Sequence, residues 1–227
     1  MTVHYERLSS LDNSYLALES RSTHMHVGAI TIFSAGSFAK PDGGIDVELL
    51  KEFVASKMHM IPRYRQRLVR VPIEQHPVWV DDEHFDVTFH VRRSALPKPG
   101  SDEQLQDLVA RIMSRHLDRD RPLWEMYLVE GLAENRFAIL TKTHHAMVDG
   151  LSAVDIGQVI LDVTPEPRDT ITDVWRPARE PTGLELLVGG AADWVRSPAE
   201  AASRVRGGLA DVHESAKDVG RSVGGVI

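Results

Sequence analysis

Residues 137–150 read FAILTKTHHAMVDG. Phe137 to Thr143 is a short apolar and β-branched run, and that composition predicts a strand. The strand delivers two histidines, His144 and His145, to its end. Successive side chains on a strand point to opposite faces, so only one of the pair can face any given cavity. An imidazole titrates near neutral pH, which suits a histidine at a strand end to general-base work. Asp149 can fix the loop by pairing with an arginine or with backbone N–H groups. Gly150 permits a tight turn into the next segment. A metal site built on His145 and Asp149 would need at least a third ligand of consistent geometry, which a turn does not present, so no metal is expected.

Working outward, Leu123 to Val129 predicts a second strand. The turn between the two contains Gly131 and Asn135, which makes them a hairpin or a neighbouring pair. Ser101 followed by Gln104 is a capping box. The helix it opens carries Leu105, Leu108, Val109, Ile112, Met113 and His116 on one face. Further back, Ser9 with Asp12 marks a helix start, and Val27 to Phe33 reads as a strand. Asp46 caps a helix bearing Leu50, Phe53, Val54 and Met58, and Pro62 ends it. Leu68 to Ile73 and Pro77 to Val80 complete the strand candidates. Helix and strand signals alternate, which predicts an α/β domain with a mixed sheet flanked by helices. Three parts are expected: a domain over residues 1–165, a proline-rich linker over 166–182, and a helical segment over 183–227. Gly150 to Val163 closes the first part as a helix. The last part has few large apolar residues and is expected to dock on something or stay partly disordered.

The bulk numbers agree. The chain has 227 residues, 42% of them hydrophobic and 26% charged, ordinary values for a domain that buries a core. A formal net charge of -7 argues against a nucleic-acid partner. With no cysteine, thiolate chemistry and thiolate–zinc sites are excluded. The first residues lack an apolar signal segment, and no run approaches the roughly 20 apolar residues of a membrane span. A cytoplasmic location is expected, with any membrane contact peripheral. There are eleven histidines, so a lone one carries little information; His24 and His26 read as turn or packing residues.

The spacing His144-His145-x-x-x-Asp149-Gly150 resembles the signature of the chloramphenicol acetyltransferase-like superfamily of CoA-dependent acyltransferases. Three further blocks resemble the bacterial wax ester synthase/diacylglycerol acyltransferase family. They are Pro122-Leu123-Trp124-Glu125, Ile61-Pro62-Arg63-Tyr64-Arg65-Gln66-Arg67-Leu68, and the opening from Leu8 through Leu18-Glu19 to Met25-His26-Val27-Gly28. The resemblance covers about residues 4–165. It implies the N-terminal half of a two-domain fold, with a substrate tunnel between the halves and a C-terminal acyltransferase half as partner. It also implies an O-acyltransferase that moves a long-chain acyl group from acyl-CoA to diacylglycerol or a fatty alcohol. Acyl-CoA is then a substrate, and no cofactor is expected. By the same resemblance His145 is the general base, His144 supports it, Asp149 is structural, and Gly150 leaves space beside the histidine. Arg65 or Arg67 is the candidate partner of Asp149. Trp124 reads first as core and second as a residue shaping the substrate site from behind. Lipid products would bring the protein to a membrane or lipid-droplet surface.

Two other readings stay open. The same site could serve amide-forming condensation or another acyl transfer, against which the Pro122-Leu123-Trp124 block speaks. Without its second half, the domain could instead be a non-catalytic binding module.

Overall fold

The computed structural model describes residues 4–40, 44–148 and 175–196. The capping signals act as predicted. Ser9 accepts a hydrogen bond from the Asp12 N–H and starts helix α1, Ser10–Leu18. Asp46 accepts from the Glu48 and Leu49 N–H groups and starts α2, Val47–Lys57. The short α3, Val87–His90, follows Asp86 in the same manner. Ser101 and Gln104 form the capping box of α4, Asp102–Met113. Each cap satisfies donors that the first turn leaves without partners. A final helix, α5, spans Gly183–Arg196.

The strands are β1 (Glu6–Arg7), β2 (His26–Ser34), β3 (Gln66–Arg70), β4 (Pro77–Asp81), β5 (Val91–Ala95), β6 (Trp124–Leu132) and β7 (Arg136–His144). They make two sheets. The smaller is antiparallel, in the order β1-β4-β3; the larger is mixed, in the order β2-β7-β6-β5. β6 and β7 form the predicted antiparallel hairpin. Its turn uses left-handed backbone at Gly131, Glu134 and Asn135. β5 pairs parallel to β6 and has no counterpart among the sequence-predicted strands.

The central strands are buried on both faces. On one, Met126, Leu128, Phe137 and Ile139 pack with Leu50 and Val54 of α2, with Met58 just after it, and with Trp124. On the other, Val129 and Ala138 pack with Leu105 of α4. Gly28 on β2 lets α4 approach, because a Cβ there would lie 2.8 Å from the Met113 side chain. At the start of the 183–227 segment, Leu186 of α5 packs with Val78 and Val80 of the small sheet and with Val71 just after β3; most of the segment lies outside the described residues. The helix predicted over Gly150 to Val163 lies outside the described residues. No helix among the described residues is long and apolar enough to cross a membrane.

Candidate active site

The two histidines part at the end of β7. β2 holds this end from one side, with His26 opposite His144 in the antiparallel register. Beyond His144 the chain turns into a single 3₁₀ turn, His145–Met147.

His145 is half-buried. Its backbone N–H donates to the Met25 carbonyl at 2.9 Å. Its ring stacks on Tyr15 of α1, with centroids 4.9 Å apart and planes 24° from parallel. The imidazole is thus fixed at its backbone and on one face. The next two residues, Ala146 and Met147, join Asp12, Ile61 and Tyr64 in lining a cleft of about 580 Å³.

His144 turns the other way and is 1% exposed. Its Nδ1 accepts a hydrogen bond from the Ala146 N–H at 3.0 Å. In the neutral ring the proton is therefore on Nε2, which faces the Glu19 carboxylate at 3.7 Å. Arg119 donates to the same carboxylate at 2.7 Å and to the Leu16 carbonyl at 3.0 Å. Burial alone would raise the Glu19 pKa. His144 and Arg119 outweigh burial and hold this carboxyl below the usual carboxylate range. His144 thus holds the Ala146 N–H of the turn through Nδ1, while its Nε2 faces the carboxylate behind it without a hydrogen bond.

Around that carboxylate lies a polar layer. Lys142 is fully buried, and its ammonium donates to the carbonyls of Ile112, at 3.0 Å, and Arg115. His26 Nε2 donates to the Met113 carbonyl at 2.7 Å. Burial, together with the nearby Lys142 charge, lowers the His26 pKa despite that bond. These groups satisfy the carbonyls at the C-terminal end of α4, where a cation is favoured.

A family model for the wax ester synthase/diacylglycerol acyltransferase catalytic domain matches residues 8–225. The chain belongs to the wax ester synthase/diacylglycerol acyltransferase family. It is 48% identical over 193 residues to a probable diacylglycerol O-acyltransferase of Mycobacterium tuberculosis, tgs3, covering 85% of this chain and 69% of that protein. A second from the same organism, tgs1, is 40% identical, over 66% of this chain and 31% of that one. Among solved structures, the wax ester synthase/diacylglycerol acyltransferase of Marinobacter aquaeolei VT8 superposes with a TM-score of 0.56 at 40% identity, over 65% of this chain and 35% of that one. The starter condensation domain of rhizomide synthetase superposes at 0.53 and 13% identity, covering 69% of this chain and 38% of that chain, a likeness of fold alone. The chain thus spans about a third of the solved family member it matches.

The other sequence-predicted residues of this family member fall as follows. Trp124 is fully buried; its Nε1 donates to the Tyr64 carbonyl at 2.8 Å and its ring stacks on His90. It packs in the core behind the His145 turn, the first of the two roles the sequence allowed. Arg67 pairs with Glu180, and Arg65 lies over the Trp175 ring. Asp149 and Gly150 lie outside the described residues. Sequence reading assigned no role to Arg119 or Lys142, and it placed Tyr15 and Glu19 in the opening segment without assigning either to the site. Lys142 did carry a signal: a lysine inside an otherwise apolar strand run must find buried acceptors.

Proposed function

We propose that this chain is the catalytic-histidine half of an O-acyltransferase. It moves a long-chain acyl group from acyl-CoA to diacylglycerol or a fatty alcohol, with His145 as general base. The observation that carries this reading is the division of labour at the end of β7. Of two adjacent histidines, His144 is sealed against Glu19, while His145 is half-exposed and fixed on Tyr15 and Met25 beside a cleft. The acceptor hydroxyl would give its proton to His145 as its oxygen attacks the thioester carbonyl. Collapse of the tetrahedral adduct breaks the carbon–sulfur bond. The CoA sulfur then leaves with the proton returned by the imidazolium. No covalent enzyme intermediate is needed. Base catalysis of this kind contributes about 10²–10⁴-fold, and positioning supplies much of the rest. Asp149 would brace the loop, Gly150 would keep space beside His145, and Trp124 would support the site from behind. The tunnel's other wall would come from a C-terminal half.

The names of the relatives support the acceptor class, and the intact histidine pair argues against the binding-module reading. The test is free CoA released from palmitoyl-CoA in the presence of diacylglycerol or hexadecanol. It uses the chain alone, the chain with a C-terminal acyltransferase half, and the same samples carrying His145→Ala. Acceptor-dependent release that His145→Ala abolishes is the expected result. Release indifferent to His145, or none with any acceptor, overturns the proposal.

A further inference from the structure

Behind the histidine pair three side chains converge, of which Glu19 alone enters the proposed acyl transfer, as the carboxylate that His144 faces. One potential ligand atom from each of Glu19, His24 and His26 lies within 4.8 Å of the other two. The two imidazoles are built as ligands are. Nδ1 of His24 and Nδ1 of His26 are both buried and have no hydrogen-bond partner. In His26 the other ring nitrogen donates to the Met113 carbonyl at 2.7 Å, which fixes its proton on Nε2 and leaves the Nδ1 lone pair free. A backbone carbonyl behind a metal-binding histidine does the same work of setting tautomer and ring orientation. A buried lone pair with no donor is costly, and a Lewis acid is one way to satisfy it. A fourth candidate stands beside them. His116 places Nδ1 3.5 Å from Glu19 Oε1, and its ring lies edge-on to His24 with centroids 4.3 Å apart. Arg119 and His144 face the other oxygen, Oε2, while Oε1 takes only a long bond from the Met25 N–H at 3.4 Å beside His116.

We propose that Glu19, His24 and His26 form a three-ligand binding site for a divalent cation of the zinc class, with His116 at its edge. Two imidazoles and one carboxylate oxygen, with water in the remaining position, suit Zn²⁺, Co²⁺ or Ni²⁺. They do not suit Mg²⁺ or Ca²⁺, which want oxygen ligands throughout. The neighbouring Arg119 and Lys142 charges repel any cation, and they weigh most against ions held by charge alone, such as Mg²⁺ and Ca²⁺. Its place in the fold gives the ion a structural task. It would join the end of α1, the start of β2 and the end of α4 directly behind His144.

The probe is Co²⁺, added to tag-free, chelator-stripped protein and read by its visible ligand-field absorption, with Zn²⁺ competing. The expected result is saturation at about one equivalent with the intense bands of four-coordinate cobalt, displacement by Zn²⁺, and no displacement by Mg²⁺. His24→Gln and His26→Gln should each weaken binding at least ~10-fold, while His145→Ala and the exposed His59→Gln leave it unchanged. Circular dichroism of each variant separates loss of the site from loss of the fold, and His24, being half-exposed, is the variant least able to unfold the chain. Absence of saturable Co²⁺ binding overturns the proposal, as does binding indifferent to both His24→Gln and His26→Gln. Either outcome is independent of the acyl-transfer assay.

Discussion

Two histidines in this chain are each only 1% exposed, and the large sheet separates them. His90 lies on the apolar side, stacked between Phe85 and Trp124, with Nδ1 donating to the Trp124 carbonyl at 2.8 Å. His144 lies on the polar side, with Glu19, Lys142 and His26 around it. Burial pushes the His90 pKa down to about 4, helped by the Arg92 and Arg121 charges and opposed by the Trp124 bond. His144 instead faces a carboxylate held ionised. The contrast shows what each face is for. The apolar face buries area. The polar face fixes one backbone turn, and each of its groups is needed by another.

Four experiments would break or sharpen that contrast. The largest effect belongs to the turn itself: His145→Ala should lower acceptor-dependent CoA release about 10²–10⁴-fold while leaving the urea midpoint close to that of the parent. A matching fall in stability would make His145 a packing residue and erase the division between the two histidines.

Next is Lys142→Met. It keeps the length of the side chain but strips the ammonium from the Ile112 and Arg115 carbonyls. Two buried acceptors left alone cost roughly 2–4 kcal/mol in urea unfolding. A neutral result would mean that the polar face is as plastic as the apolar one.

The third is a pH dependence, and its sign follows from proton binding. Because the folded His90 value lies below the ordinary 6.5, the unfolded chain binds more protons as pH falls. The stability His90 contributes is therefore fully present above about pH 6.5 and is lost between there and about pH 4. The loss should reach at most about 3 kcal/mol. His90→Gln should flatten this part of the urea-stability profile. A profile unchanged by the substitution would assign the acid sensitivity to another group.

The smallest effect is expected from Ile139→Val on the apolar face. One methylene lost from the core should cost about 1 kcal/mol. A cost as large as that of Lys142→Met would dissolve the distinction.

Much of the fold was legible because its signals are local. The caps at Ser9, Asp46 and Ser101 each need only a side-chain oxygen and the next N–H groups, and they set the helix starts to the residue. The hairpin was visible in two apolar runs and a turn. β5 was not, because Val91-Arg92-Arg93-Ser94-Ala95 reads as a polar loop until Arg92 meets Glu125 and Arg93 meets Glu130. Those partners sit on β6, more than thirty residues away, and no periodicity announces them. The site divides in the same way. His144 and His145 are adjacent in sequence, and strand alternation alone says that they part. That Glu19 and Arg119 brace one of them depends on contacts across about a hundred residues, beyond what any local pattern carries.

The same strand end has a consequence for the order of assembly. β7 is held on one edge by β6, its hairpin neighbour across a turn of a few residues, and on the other by β2, where His26 meets His144 from more than a hundred residues away. Loop-closure entropy makes the distant pairing roughly 3 kcal/mol harder to nucleate than the near one, at about 0.6 kcal/mol per doubling of loop length. The hairpin should therefore form early and the β2 edge late. The Met25 carbonyl that holds the His145 N–H belongs to that late edge. A nascent chain would carry both histidines on a formed hairpin before their final orientation is set, and that orientation would be fixed only when β2 returns.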